Sequence, residues 1–351
     1  MTFRMKPVHD QVIVITGASS GIGLVTAREA ARRGASVVVT ARNEAAVTRL
    51  AQEIETSASG EAAAVAADVS DESAVRRVAE AAVRRFGRID TWVNIAGVSL
   101  YGRAVDVSLE DQRRVFETNF WGVVHGSRIA VEHMREHGGA LINIGSTLSD
   151  VAVPLQAAYS ASKHAVKAYT DALRLELEHD RLPIAVTLIK PYSIDTPYIR
   201  HAKNYLSHEP AYPPPVYAPE IVATTILHCA EHPVRDVFAG GSGKVMSAAR
   251  YHAPRLMDKL MQATMFDLQQ SGEPERDRSK NSLYGPTSEL KERSGHLGHV
   301  AESSLYTRAS LHPVMTGTVM AMVGLALTAL LRSGGNGQAT AADSRQTSNL
   351  F

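Results

Sequence analysis

The feature that most constrains the fold of this chain is a regular alternation of short apolar runs with amphipathic segments of helical length. The runs are rich in valine, isoleucine and alanine, as is typical of strands that are buried on both faces of a parallel sheet. The alternation predicts a doubly wound α/β sheet of the Rossmann type, forming a single domain over residues 8–250. The predicted strands are 12–15, 36–40, 62–67, 91–95, 140–145, 184–189 and 236–239.

The alternation ends near residue 250, and three further segments follow. Residues 251–313 are predicted to form a helical and linker-like extension, because 251–270 is amphipathic and the remainder is polar and charged. Residues 314–331 form an uncharged stretch of 18 residues, the lower limit for crossing a bilayer. This stretch is either a membrane anchor or a hydrophobic helix docked on protein. The small, polar residues 332–351 are predicted to be disordered.

Composition excludes some classes of function. The chain has 37 basic and 36 acidic residues, with no basic cluster interleaved with aromatic residues, so a nucleic-acid partner is not expected. The single cysteine, Cys229, excludes an intrachain disulfide and is typical of a reducing compartment. We therefore expect a cytoplasmic catalytic domain, with or without an anchor at 314–331.

A glycine-rich turn follows the first predicted strand and precedes a helix. Gly17 permits a tight turn, Gly21 permits the approach of a phosphate, and Gly23 permits close contact between helix and strand. Such a turn presents backbone N–H groups and the positive end of a helix to a pyrophosphate. The motif therefore predicts a dinucleotide-binding site.

The end of the second predicted strand indicates which dinucleotide binds. Arg42 follows this strand, and no carboxylate occurs before Glu44. A guanidinium pairs with the 2′-phosphate of NADP, whereas a carboxylate at this place accepts hydrogen bonds from the ribose of NAD. The sequence therefore favours NADP(H).

Three residues further along the chain can move a proton. Tyr159 and Lys163 are four residues apart on a predicted helix and hence on one face. An adjacent ammonium lowers the pKa of a phenol from about 10 towards neutral pH, where proton transfer is efficient. Ser146 follows the fifth predicted strand and can hold a substrate oxygen near Tyr159. With the glycine turn, this triplet indicates hydride transfer.

This ordered set of motifs resembles the short-chain dehydrogenase/reductase family over residues 8–250, and Thr40-Ala-Arg-Asn43 resembles its NADP-preferring members. The resemblance implies that Tyr159 is the general acid/base, that Ser146 polarises the carbonyl, that Lys163 tunes the tyrosine and that Asn119 supports a water relay. The cofactor contacts that it implies, together with the glycine turn and Arg42, are Gly17, Ser19, Ser20, Gly21, Ile22, Gly23, Arg42, Asp68, Val69, Asn94, Ala96, Gly97, Tyr159, Lys163, Pro191, Ile194 and Thr196.

Two positions depart from the family pattern. Ile95 replaces the usual second asparagine of the Asn-Asn-Ala-Gly motif, and Tyr192 replaces the glycine that usually follows Pro191. We expect the first change to be mild, because Asn94 and Gly97 remain. The second is expected to change the local backbone and to narrow the space above the nicotinamide.

The sequence thus predicts an NADP(H)-dependent enzyme that interconverts an alcohol and its ketone or aldehyde. The resemblance to the family implies a homo-oligomer. The hydrophobic stretch 314–331 and the aromatic, proline-rich segment 192–217 favour a small apolar substrate. A sensor or scaffold that binds NADP without turnover is the alternative. His228 to His232 match the His-x-x-Glu-His pattern of some zinc peptidases, but the pattern lacks its usual context, and no metal site is predicted.

Overall fold

The computed structural model describes residues 5–57, 60–277, 279–286, 290–313 and 316–318. The chain divides into two compact units, Met1–Thr307 and Arg308–Phe351, and the sheet described next belongs to the first. The strands are β1 Val12–Thr16, β2 Ser36–Ala41, β3 Ala62–Ala66, β4 Thr91–Asn94, β5 Leu100–Tyr101, β6 Gly139–Ile144, β7 Ile184–Pro191, β8 Ser193–Ile194, β9 Lys203–Asn204, β10 His208–Pro210, β11 Val216–Tyr217, β12 Asp236–Ala239, β13 Gln270–Pro274 and β14 Val300–Ala301. The α-helices are α1 Gly21–Arg32, α2 Glu44–Ser57, α3 Glu72–Phe86, α4 Leu109–Phe116, α5 Gly122–Met134, α6 Ala157–His179, α7 Pro219–Glu231, α8 Gly241–His252, α9 Pro254–Leu268 and α10 Leu305–Leu311.

The predicted doubly wound sheet is confirmed. Seven parallel strands lie in the order β12-β7-β6-β4-β1-β2-β3, with helices packed against them. All residues of β1 and β6 are buried, as expected for strands that are covered on both faces. The strand order reverses between β1 and β4, and ligands of such sheets bind at the carboxyl edge beside this reversal.

The turn between β1 and α1 has two residues that only glycine can fill. Gly17 has a φ of 71°, in the left-handed region, and a Cβ there would lie 2.8 Å from the Cα of Ala96. A Cβ on Gly23 would lie 2.2 Å from the carbonyl oxygen of Gly17. The turn and the first turn of α1 therefore pack backbone against backbone.

The sequence predicts one long helix over residues 111–137. The structure has a continuous helix from Leu109 to Met134, made of α4, a π-helical turn at Glu117–Trp121, and α5. A π-helical turn accommodates one extra residue within an α-helix, and such turns are frequent at functional sites. Asn119 lies in this turn, where its Oδ1 accepts a hydrogen bond from the N–H of Val98 at 2.8 Å and its Nδ2 donates to the carbonyl of Val98 at 3.0 Å.

The described residues between 270 and 301 contact the sheet domain more closely than their polar composition indicates. The strand β13 pairs with β10, and β14 pairs with β11. Leu283 is completely buried in an apolar cluster with Val98, Leu100, Val107 and Val115. The described part of the predicted linker-like segment therefore packs on the domain that it follows.

The predicted hydrophobic helix over 314–331 lies outside the described residues, apart from 316–318, and so does the predicted disordered tail over 332–351. Within the described residues, no helix is both long enough and apolar enough to span a bilayer.

We expect Gly23→Ala to destabilise the protein by about 2 kcal/mol or more, because the added methyl group meets a backbone carbonyl that cannot move without distorting the turn. The measurement is the free energy of unfolding in urea. Gly272→Ala is the matched control, since a Cβ there meets no atom within 4 Å, and we expect a change within about 0.5 kcal/mol. Equal unfolding midpoints for the two variants would contradict the close approach.

Candidate active site

A single cleft at the carboxyl edge of the sheet contains the glycine turn, Ser146, Tyr159 and Lys163. Residues far apart in the chain meet there because they follow strands of the same parallel sheet. The predicted site residues that line the cleft are Gly17, Ser19, Ser20, Gly21, Ile22, Gly23, Arg42, Asp68, Val69, Ala96, Gly97, Ser146, Tyr159, Lys163, Pro191, Ile194 and Thr196.

Two predicted site residues, Asn94 and Asn119, are not part of the cleft wall. The Nδ2 of Asn94 donates to the Oδ1 of Asn143 at 2.8 Å, within the sheet. The Nδ2 of Asn119 donates to the Oγ of Ser162 at 3.1 Å, on the helix that carries Tyr159. Both side chains are buried and hydrogen-bonded to neighbouring elements, so their contacts in this structure are internal to the protein.

Lys163 is buried in the second turn of α6. Its Nζ donates to the carbonyl oxygen of Ile144 at 2.8 Å and lies 5.8 Å from the centre of the Tyr159 ring. Burial disfavours the ammonium and lowers the pKa of Lys163 from its ordinary value of 10.5 to about 8. The lysine therefore changes its charge close to the pH range in which a catalytic proton is exchanged.

The pKa of Tyr159 differs from the prediction made from the sequence. Burial raises it above the ordinary value of 10, although hydrogen bonding with Ser146 and Tyr198 acts in the opposite direction. The spacing of Tyr159 and Lys163 predicted a lowered pKa, but spacing does not reveal how completely the phenol is removed from water. In this structure the phenol is thus held in its protonated form at neutral pH.

The end of the cleft beside β2 and β3 is positively charged. Arg42 lines it, and Arg114 lies close by, where its Nη2 pairs with the Oδ2 of Asp68 at 2.6 Å. Burial opposes the ionisation of Asp68, but hydrogen bonds from Ser70 and Arg114 outweigh it and lower the pKa of the carboxyl. Two guanidinium groups and one carboxylate leave a net positive charge at this end.

The first turn of α1 fits an anionic ligand. Ser20, the N-cap residue, makes no side-chain hydrogen bond to the helix. Among the residues that the structure describes, none accepts a hydrogen bond from the N–H of Ile22 or of Gly23. Two N–H groups at the positive end of a helix, beside a cleft, suit the phosphates of a dinucleotide.

The end of the cleft that lies away from β2 and β3 is apolar and aromatic. Few of its residues were predicted from the sequence. Its lining includes Tyr101, Leu148, Val153, Tyr198, Ile199, Tyr212, Met246 and Met265. The rings of Tyr198 and Tyr159 lie 6.1 Å apart, which brings a second phenol to the predicted catalytic tyrosine. The density of tyrosines in 192–217 was the available signal, but it did not show which of them face the cleft.

The residues of the His-x-x-Glu-His pattern, at the end of α7, make contacts within the protein. The carboxylate of Glu231 accepts a hydrogen bond from the N–H of Val8 at 2.6 Å, and the rings of His228 and His232 stack 4.5 Å apart. In the part of the chain that the structure describes, no group of three or more His, Cys, Asp or Glu side chains is arranged to hold a metal ion.

The sheet order, the glycine turn and the cleft at the strand reversal define a nucleotide-binding protein of the Rossmann type. The family model for short chain dehydrogenases matches residues 11–205, more than half of the chain. The chain therefore belongs to the short-chain dehydrogenase/reductase family, whose members are oxidoreductases.

Individual relatives agree with this assignment. An uncharacterized oxidoreductase of Bacillus subtilis (strain 168), YxnA, is 46% identical over 321 residues, which cover 91% of this chain and 90% of the relative. The 11-beta-hydroxysteroid dehydrogenase A of Sesamum indicum is 35% identical over 196 residues, which cover 56% of each chain. The crystal structure of a short chain dehydrogenase/reductase from Burkholderia phymatum in complex with NAD matches with a TM-score of 0.64 and 25% identity, covering 73% of this chain and 96% of that one.

The lowered pKa of Lys163 has a measurable effect on stability. Between about pH 8 and 10.5 the lysine is protonated in the unfolded chain but not in the folded one. Folding therefore releases a proton in this window, and raising the pH favours the folded state. We expect the free energy of unfolding of the wild type to rise relative to Lys163→Met across this window, by at most about 1.4 kcal/mol per pH unit. Urea titrations over the window measure the difference, and a difference that does not change with pH would contradict the assignment.

Proposed function

We propose that the protein is an NADP(H)-dependent oxidoreductase that interconverts an apolar alcohol and its ketone or aldehyde. The observation that carries this proposal is that Ser146, Tyr159 and Lys163 line the same cleft as the glycine turn. A proton-transfer group thereby lies within reach of a bound dinucleotide. The nicotinamide, when bound, supplies or accepts the hydride.

The side chains of this cleft have distinct roles in the proposed reaction. Ser146 donates a hydrogen bond to the carbonyl oxygen and orients the substrate. Tyr159, protonated at neutral pH, donates its proton to that oxygen during reduction, and in its ionised form it accepts the proton of the alcohol during oxidation. Lys163 contributes positive charge near the phenol while protonated, below its pKa of about 8. Asn119 has a positioning role, because its side chain hydrogen-bonds both the backbone of Val98 and Ser162 on α6.

The charges at the adenosine end support NADP(H) as the cofactor. Arg42 lines the cleft at the end of β2, and the structure brings a second guanidinium, that of Arg114, near it. A 2′-phosphate gains charge-assisted hydrogen bonds from guanidinium groups, whereas an unmodified ribose gains much less.

The lining of the substrate end supports an apolar carbonyl compound. Aromatic and thioether side chains surround the place where Ser146 and Tyr159 meet, and flat or lipid-like groups bind well between such side chains. A relative acts on hydroxysteroids according to its name, which is consistent with a bulky apolar substrate. Turnover of small sugars with none of hydrophobic ketones would overturn this part of the proposal.

Several predictions from the sequence remain open. These are the homo-oligomer, the membrane contact through 314–331 and the domain bounds 8–250, 251–313, 314–331 and 332–351. The alternative of an NADP-binding sensor or scaffold without turnover is tested by the experiments on Tyr159 below.

Replacing Tyr159 with Phe removes the proton donor while it leaves the ring in place. We expect kcat for the reduction of a hydrophobic ketone to fall by about a thousandfold, with NADPH binding retained. The measurement is the consumption of NADPH with a panel of carbonyl compounds. Tyr251→Phe is the matched control, because Tyr251 is 83% exposed on α8 and lies outside the cleft. Equal rates for wild type and Tyr159→Phe would favour the sensor or scaffold.

Replacing Arg42 with Ala removes the guanidinium at the end of β2. We expect the dissociation constant for NADPH to rise by about tenfold to a hundredfold, because a charge-assisted hydrogen bond contributes about 1.5–3 kcal/mol. The dissociation constant for NADH is expected to change far less. Titration of NADPH and NADH fluorescence measures both constants, with the exposed Arg49→Ala as control. Equal losses for the two nucleotides would show that Arg42 does not read the 2′-phosphate.

A further inference from the structure

We propose that two pieces of the C-terminal extension, residues 281–286 and 290–294, form a strap that closes over the dinucleotide and slows its release. This inference rests on the dinucleotide binding proposed above. Ser282 and Pro286 line the same cleft as the glycine turn, which makes the extension part of the nucleotide site.

The second piece of the strap crosses the start of α1. The carbonyl oxygen of Lys291 accepts a hydrogen bond from the N–H of Gly21 at 2.9 Å. The carboxylate of Glu292 pairs with the Nη1 of Arg28, on the same helix, at 2.7 Å. The strap uses only the N–H of Gly21, so those of Ile22 and Gly23 stay available to phosphate oxygens.

The first piece contacts the side chains at the adenosine end. The carbonyl of Ser282 accepts a hydrogen bond from the Nη2 of Arg42 at 2.5 Å, and the carbonyl of Leu283 accepts one from the Nε of Arg114 at 3.1 Å. The guanidinium of Arg42 has five N–H donors, so these contacts orient it without using all of them. The strap therefore helps to position the group that we expect to bind the 2′-phosphate.

Side-chain contacts outside the cleft wall hold the strap in this place. The buried side chain of Leu283 anchors the first piece in an apolar cluster, and the hydroxyl of Tyr284 donates to the Oδ1 of Asp111 at 2.7 Å. In the second piece, the N–H of Ser294 donates to the Oδ1 of Asp195 at 3.0 Å, and its hydroxyl donates to the same oxygen. Asp111 lies on α4 and Asp195 follows β8, so the strap is fixed to two separate elements of the domain.

These contacts have a kinetic consequence. The strap reaches the cleft both at Arg42 and at the glycine turn, which are the two places where the adenosine phosphates are expected to bind. A dinucleotide that occupies both places can leave only after the strap has detached from its anchors. The anchors therefore slow dissociation of the cofactor, while the proton-transfer groups at the other end of the cleft do not take part.

The test weakens the anchors at two residues that do not line the cleft, although Ser294 also forms a hydrogen bond with Tyr212 of the cleft wall. In the double variant Tyr284→Phe/Ser294→Ala, Asp111 keeps its contacts with Lys203 and Tyr205, and Asp195 keeps the N–H of residue 294. The rate at which NADPH leaves is measured by stopped-flow fluorescence after mixing with excess NADP. We expect the double variant to release NADPH about tenfold faster than wild type, since both lost hydrogen bonds are to carboxylates. Tyr251→Phe should release it at the wild-type rate.

A second measurement does not depend on these variants. We expect bound NADPH to protect backbone amides of 281–286 and 290–294 from hydrogen exchange, and to leave α9 unchanged. A change in release rate below about twofold, or strap amides that NADPH does not protect, would overturn the strap proposal while dinucleotide binding stands. Slower release from the double variant would also overturn it, because the strap would then compete with the nucleotide. Failure of the wild type to bind NADPH would overturn the proposed function and the strap together.

Discussion

A buried network of amide and hydroxyl groups joins the sheet to the helix that carries Tyr159 and Lys163. The Nδ2 of Asn94, on β4, donates to the Oδ1 of Asn143 on β6, and the Nδ2 of Asn143 donates to the Oγ1 of Thr170 on α6 at 3.0 Å. Breaking such a network inside a core leaves polar groups without partners, which costs more than each bond contributes. The position of α6 relative to the glycine turn depends on these contacts.

Burial also decides the protonation states in the cleft. The phenol of Tyr159 and the ammonium of Lys163 are both removed from water, which disfavours the charged form of each. The pKa of the tyrosine rises and that of the lysine falls to about 8, so the two values move apart. The phenol therefore keeps its proton at neutral pH, while the lysine loses its charge as the pH rises through about 8.

The sequence predicted the sheet and most of the cleft because both follow from local patterns. Each strand is marked by its apolar run, and the glycine turn is marked by positions that only glycine can occupy. The π-helical turn at Asn119 was not predicted, because the residues on both sides of it are helical and no residue type marks such a turn. The contacts of residues 281–286 and 290–294 were not predicted either, since their polar composition is also typical of an exposed linker.

The sequence by itself determined the family, the sheet and the chemical types of the groups around the cleft, because these depend on residue identity and spacing. The tertiary structure alone decided how those groups are used. In the tertiary structure the side chain of Asn94 lies within the sheet, Tyr159 is removed from water, and residues 281–286 and 290–294 contact Arg42 and the glycine turn. Such outcomes depend on contacts between residues far apart in the chain, and no local pattern records them.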